Sequence, residues 1–204
     1  LEFRRVLFRS HLDSHMGTLF AYPPFLERYL KVGMELGIPV MFPGGNNKML
    51  IESVNKPYIK KMKAEGKWKE GMPLPSAKFG LTDLVAESKK IGEMLWKAGL
   101  PVLDDLHSDS GDWKPEGNAT PAEWGKYKAD QWIYQLEHMK PGVAMLIVHS
   151  SDITEEFKFI SGSGGSRLAD MNSMMHPDLK AYIEKEGIIL STFRELMERR
   201  KKVK

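Results

Sequence analysis

Apolar positions along the chain repeat one phrase: a helix-period segment, a glycine, then a short β-rich run. In residues 25–36, Phe25, Leu26, Tyr29, Leu30 and Met34 recur at the spacing of one helical face. Gly37 follows in the place of a helix C-cap, and then comes Ile38-Pro39-Val40-Met41-Phe42. Residues 83–98 repeat the phrase with Leu84, Ile91, Leu95 and Trp96, then Gly99 and Leu100-Pro101-Val102-Leu103-Asp104. A third copy is 179–186, Gly187 and Ile188-Ile189-Leu190. Another apolar run, Val143 to Val148, follows a helix predicted over 121–139. There Thr120, Pro121 and Glu123 supply an N-cap, a first-turn proline and a capping box, and Thr192 with Glu195 repeats the box before a last helix.

Helices alternating with short buried strands predict parallel βα units and an α/β fold. Strands are expected near 11–16, 38–42, 101–106, 143–149 and 187–191. Five strands fall short of a closed TIM-like (β/α) barrel, which is expected here without its N-terminal strands. A doubly wound open sheet is the alternative, although no Gly-rich phosphate loop follows any of the runs. Residues 46–78 break the phrase: a helix is predicted over 48–64 and a loop over 65–79, a candidate rim of an active site. Residues 108–119 make a second rim candidate, and Ser161–Ser166 reads as a flexible loop.

Composition changes this picture little. A chain of 204 residues with 42% hydrophobic and 28% charged residues suits one domain or a large part of one. No apolar run reaches the roughly 20 residues that cross a bilayer. With no cysteine, a disulfide scaffold, a zinc finger and a thiol nucleophile are excluded, so a bound metal must be held by His, Asp, Glu or water. The basic end, Arg199-Arg200-Lys201-Lys202, reads as the solvated last turn of a helix; nucleic acid is not expected, for want of an aromatic-interleaved basic groove.

Residues 1–10, LEFRRVLFRS, have neither the apolar core nor the cleavage site of a targeting segment. The codons CTG GAG TTC AGA CGT GTG CTC TTC CGA TCT encode this peptide, and that string is the end of a common sequencing-library adapter. Residues 1–10 are therefore read as a non-native segment. Residues 11–204 are read as the C-terminal part of a single domain. Three arginines and one glutamate of the segment supply +2 of the net charge of +3. Cytoplasmic location is the expectation, and periplasmic the alternative, since a signal peptide would lie upstream.

In βα barrels the chemistry sits at the carboxyl ends of the strands. Those ends carry His11-Leu12-Asp13-Ser14-His15, Phe42-Pro43-Gly44-Gly45, Asp104-Asp105-Leu106-His107 and His149-Ser150-Ser151-Asp152. In a strand His11, Asp13 and His15 share one face. His15 is then the best metal-ligand candidate, and Asp13 a residue that orients an imidazole. Asp104, Asp105 and His107 are candidate pocket residues, with helix capping or a surface turn as the plainer role of the two aspartates. Trp113 is a candidate for stacking on a sugar or for packing on its own loop. Arg167 and Asp170 read as a surface pair, His176 as a capping residue, and Trp124, Tyr127 and Trp132 as core.

His11-Leu12-Asp13-Ser14-His15 resembles the His-hydrophobic-Asp-Ser-His motif of the YdjC-like (ChbG-like) carbohydrate deacetylases. Pro141-Gly142-Val143 with Met145-Leu146-Ile147-Val148-His149 resembles that family's Pro-Gly…Glu-Leu-Met-x-His-Pro strand. The run from Asp178 to Leu196 resembles its closing helix–strand–helix, and the three lie in the family's order. The resemblance implies a seven-stranded βα barrel. It implies hydrolysis of the N-acetyl group of an amino sugar or oligosaccharide with a divalent metal, magnesium or zinc. His15 becomes a metal ligand, with His11 and Asp13 beside it, and His149 the general acid or a hydrogen bond to the oxyanion. The family's paired aspartates and a further metal-binding histidine match nothing here, so the chain by itself is expected to be inactive. Met16-Gly17-Thr18 and Ser150 depart from the family pattern and leave the sugar open. No nucleic-acid or membrane partner is implied, and a homodimer is admissible. A different metal-dependent barrel of amidohydrolase type and a non-catalytic carbohydrate-binding barrel are the alternatives.

Overall fold

The computed structural model describes residues 10–75, 78–79 and 82–203, so the adapter-like residues 1–9 lie outside the described residues. The chain divides into two units, one of Leu1–Asp105, Gly142–Ala144 and Ser191–Lys204, the other of Leu106–Pro141 and Met145–Leu190.

In the first unit the glycine-closed phrase forms as read. Helix α1, Pro23–Leu36, starts on two prolines and ends where Gly37, with φ 60°, donates its N–H to the carbonyls of Gly33 and Met34. Helices α2, Lys48–Val54, and α3, Lys56–Ala64, replace the single helix expected over 48–64. The break falls at Asn55-Lys56-Pro57, where Pro57 has no N–H to carry a helix onward. A short antiparallel pair, β1 Lys78–Phe79 and β2 Thr82–Asp83, leads into α4, Leu84–Lys97. Helix α8, Phe193–Lys201, begins at the capping box of Thr192 and Glu195. The core gathers Tyr29, Leu30, Val40, Phe42, Leu95 and Leu100, with Leu12, Ile91 and Met197 packed against it. The basic end is not wholly solvated: the Arg200 guanidinium stacks 3.9 Å over Trp96 and donates to its carbonyl.

The β structure is shorter than expected. Leu12 bridges Val40 and Pro43 bridges Leu103, both in parallel. Strand β3, Asp105–His107, neighbours β4, Ala144–Leu146. Asp105 N–H reaches Val143 O and Ile147 N–H reaches His107 O, so both strands advance in the same direction. Four extended segments thus pair in chain order and in parallel. The described residues form an α/β structure, mostly helical, and no closed barrel is seen among them. The expected strand at 187–191 is absent: Ile189 and Leu190 are 72% and 76% exposed. Gly44 and Gly92 lie backbone to backbone, and a Cβ on Gly44 would stand 2.5 Å from the Gly92 Cα. This contact lets α4 close on the strand end at Pro43.

In the second unit α5, Pro121–His138, begins at the capping box of Thr120 and Glu123. Helix α6, Gly164–Met174, starts inside the Ser161–Ser166 run read as loop. Helix α7, Pro177–Lys185, is capped by the His176 ring nitrogen, which accepts the Asp178 N–H. Gly125 permits close approach of α5 and α6, since a Cβ there would sit 2.5 Å from that of Asn172. Trp113, Ala129, Trp132 and Leu179 form this unit's core, with Leu146 and Val148 packed on it.

Candidate functional site

The segment from His11 to His15 leaves the sheet early. Leu12 donates to Pro39 O at 2.8 Å and accepts from Met41 N–H at 2.8 Å, and with that the pairing ends. Ser14 is buried and its Oγ accepts the Leu19 N–H at 2.9 Å. His15 opens a 3-10 turn, His15–Phe20, in which Met16 and Gly17 have φ of 58° and 67°. Strand alternation therefore stops before His15, and the expected common face of His11, Asp13 and His15 is not formed. His15 and Asp13 are exposed. His11 is half-buried, stacked on Phe193 with ring centroids 4.2 Å apart. Burial pushes its imidazole below the usual range, and the nearby Asp13 charge offsets part of this. Among the described residues no three His, Asp or Glu side chains converge on a point that could hold a metal ion. His15 is one donor of the right chemistry, and the described residues do not complete a site around it.

The paired aspartates are committed to the backbone. Asp104 donates its N–H to Val143 O at 2.7 Å and takes the Val143 N–H on Oδ2 at 2.8 Å. The close approach of Gly142 to this carboxylate leaves no room for a Cβ. Asp105 is buried, and its carboxylate accepts the N–H of Met49 at 2.8 Å and of Leu50 at 3.3 Å. These are donors of the first turn of α2, otherwise without intrahelical partners. The structure gives Asp105 the capping role across 56 residues of chain.

In the second unit His107 is buried, its ring 4.9 Å from Trp113 and 5.1 Å from Trp132, and its Nδ1 accepts the Asp109 N–H. Trp113 is itself buried, edge-on to Trp132 at 4.6 Å, with its carbonyl taking the Trp124 indole N–H. Neither ring offers a free face to a sugar. His149 is the exposed one, just beyond the carboxyl end of β4.

Asp170 pairs with Lys128, not with Arg167. The two side chains are 1% and 0% exposed and 2.8 Å apart. The ammonium spends its remaining protons on Ser166 O and Ser166 Oγ, both at 2.9 Å. The other Asp170 oxygen accepts the His149 N–H at 3.0 Å and Ser110 Oγ at 3.3 Å. Arg167 Nε instead donates to Ser163 Oγ. Removing either member of such a pair leaves a buried charge and is destabilising by about 3–5 kcal/mol. A signal for this network stood in the sequence: Lys128 lies four residues from both Trp124 and Trp132, on the apolar face of α5. A cation there demands a buried partner.

A family model described as YdjC-like protein matches residues 8–185, and the chain belongs to that family. The family falls in a carbohydrate deacetylase-related superfamily of hydrolase-like proteins. No curated protein and no solved structure matches the chain. Among the described residues no helix is long and apolar enough to cross a membrane.

Proposed function

We propose that the protein hydrolyses the N-acetyl group of an amino sugar or oligosaccharide, on a βα-barrel frame to which this chain contributes its parallel segments. Hydrolysis adds water to the acyl carbon, breaks the C–N bond and delivers a proton to the leaving amine. His149 is the residue of this chain suited to that last step, or to a hydrogen bond on the oxyanion. The observation that carries the reading is its position: an exposed imidazole just past the carboxyl end of a parallel strand, in a member of this family. Asp104 and Asp105 serve backbone N–H groups and His107 and Trp113 pack against Trp132, so none of the four is assigned to the substrate. A divalent cation, magnesium or zinc, belongs to the proposal on the resemblance alone. It would supply a polarised carbonyl and an activated water, and His15 is the ligand proposed for it from this chain.

Acetate release from N-acetylated chito-oligosaccharides by the full-length gene product tests the reading. His149→Ala is expected to lower kcat by about 10²–10⁴-fold, the usual contribution of a positioned acid, while His138→Ala leaves it unchanged. Release that survives His149→Ala would remove the residue from the chemistry. A sugar that binds but is never deacetylated would favour a carbohydrate-binding role.

A further inference from the structure

The sheet does not hold His149. The last bond of the sheet to this strand in the second unit is Ile147 N–H to His107 O, 2.8 Å, two residues earlier. Past that point the strand end hangs on α6: His149 N–H on Asp170 Oδ2 at 3.0 Å, and Ser151 N–H on Arg167 O at 3.3 Å. We infer that Lys128 and Asp170 form a positioning pair that fixes the main chain at His149, and so fixes where the imidazole is presented to substrate. This rests on the reading that His149 meets the substrate.

Two observations and one physical argument carry the inference. The Lys128 ammonium is saturated, by Asp170 Oδ1, Ser166 O and Ser166 Oγ, and it is fully buried. Its charge therefore does nothing at the surface; what it does is hold one carboxylate oxygen and turn the other toward the strand end. The second oxygen gathers Ser110 Oγ as well as the His149 N–H. Ser110 lies in the 3-10 turn Ser110–Asp112 that follows β3, so one carboxylate ties the exits of β3 and β4 to the same helix. Finally, a buried ion pair is a poor source of stability, because an apolar pair of like volume often serves as well. An apolar pair cannot accept the N–H of His149. A misplacement of about 1 Å at a reacting group is enough for a 10²-fold loss of rate, so an anchor on this main chain matters to a group that must reach its target.

Asp170→Asn is the gentlest test. The amide oxygen will turn to the Lys128 ammonium, which leaves the amide NH₂ facing the His149 N–H, donor against donor. Amide hydrogen exchange in the full chain is expected to quicken at His149 by about 10–100-fold, the loss of one bond to a charged acceptor, with Ile147 unchanged. The His149 ring signals should broaden or split with it. The paired change Lys128→Met with Asp170→Leu restores thermal stability while leaving His149 equally loose. In the full-length gene product both variants should lower kcat by about 10²-fold and leave KM nearly unchanged. Wild-type exchange at His149 in either variant overturns the anchor. A loosened His149 with unchanged kcat overturns its part in presenting the imidazole. Failure of the reading on which this rests is distinguishable, since it shows as no acetate release at all, or as release indifferent to His149→Ala, whereas the anchor is read from exchange.

Discussion

Asp105→Ala separates a capping carboxylate from a catalytic one. The substitution strips two N–H groups of α2 of their acceptor, Met49 at 2.8 Å and Leu50 at 3.3 Å. Met49 is 2% exposed, so its amide has no water to turn to. A lost bond from a buried donor to a charged acceptor is about 1.5–3 kcal/mol, and the longer, part-buried Leu50 bond about 1. Together they give roughly 2.5–4 kcal/mol, or about 5–16 °C in Tm for a chain of this length. Asp105→Asn keeps one oxygen for Met49 but opposes its NH₂ to the Leu50 N–H, so about half that loss is expected. Urea unfolding followed by circular dichroism reads both. A catalytic carboxylate predicts the reverse pattern, a stable Asp105→Asn protein without activity. If Asp105→Ala unfolds within about 0.5 kcal/mol of the parent, the range of an ordinary surface change, the capping argument is wrong.

Trp113→Ala removes one wall of the box around His107 and should lower stability by about 3–5 kcal/mol; a stable variant with raised KM for oligosaccharide would instead return Trp113 to the sugar. Gly44→Ala drives a methyl onto the Gly92 backbone and should lower stability by at least about 1–3 kcal/mol, checked by its Tm. Burial lowers the His11 imidazole below its ordinary 6.5, so the unfolded chain binds that proton more readily. Its contribution is neutral above that pH and turns destabilising as pH falls through it, and His11→Gln should flatten the slope of unfolding free energy between neutral pH and about 5. An unaltered slope would show that His11 is not held neutral by the fold.

Features written in local sequence were legible. The caps at Gly37, Thr120 and Thr192 formed as read because each is settled within four residues of chain. Partnerships at long range were not: Asp105 finds Met49 across 56 residues, and Lys128 finds Asp170 across 42. Helix α6 was hidden by its own start, since Ser161-Gly162-Ser163-Gly164-Gly165-Ser166 has the composition of a loop, and its stability comes from packing on α5 at Gly125. The strand pattern expected near 11–16 ran on past its last pairing, at Leu12. The signal that it stops was Gly17, whose positive φ turns the chain into a 3-10 turn and takes His15 off the face of His11. The aspartates carried the right residue type for chemistry, but they stand at the start of β3 and not at its carboxyl end, and the backbone donors of α2 claim Asp105.

The contact of Gly44 with Gly92 restricts how this sequence can diverge. In an ordinary core contact a side chain that grows on one element is accommodated by one that shrinks on the other. Two glycines have no atoms left to give up, so no second substitution at the partner can rescue a first. Drift at either position must be accompanied by movement of a whole helix away from the strand end at Pro43. The seam therefore acts as a ratchet: with α4 seated at this depth, a side chain at either glycine is shut out.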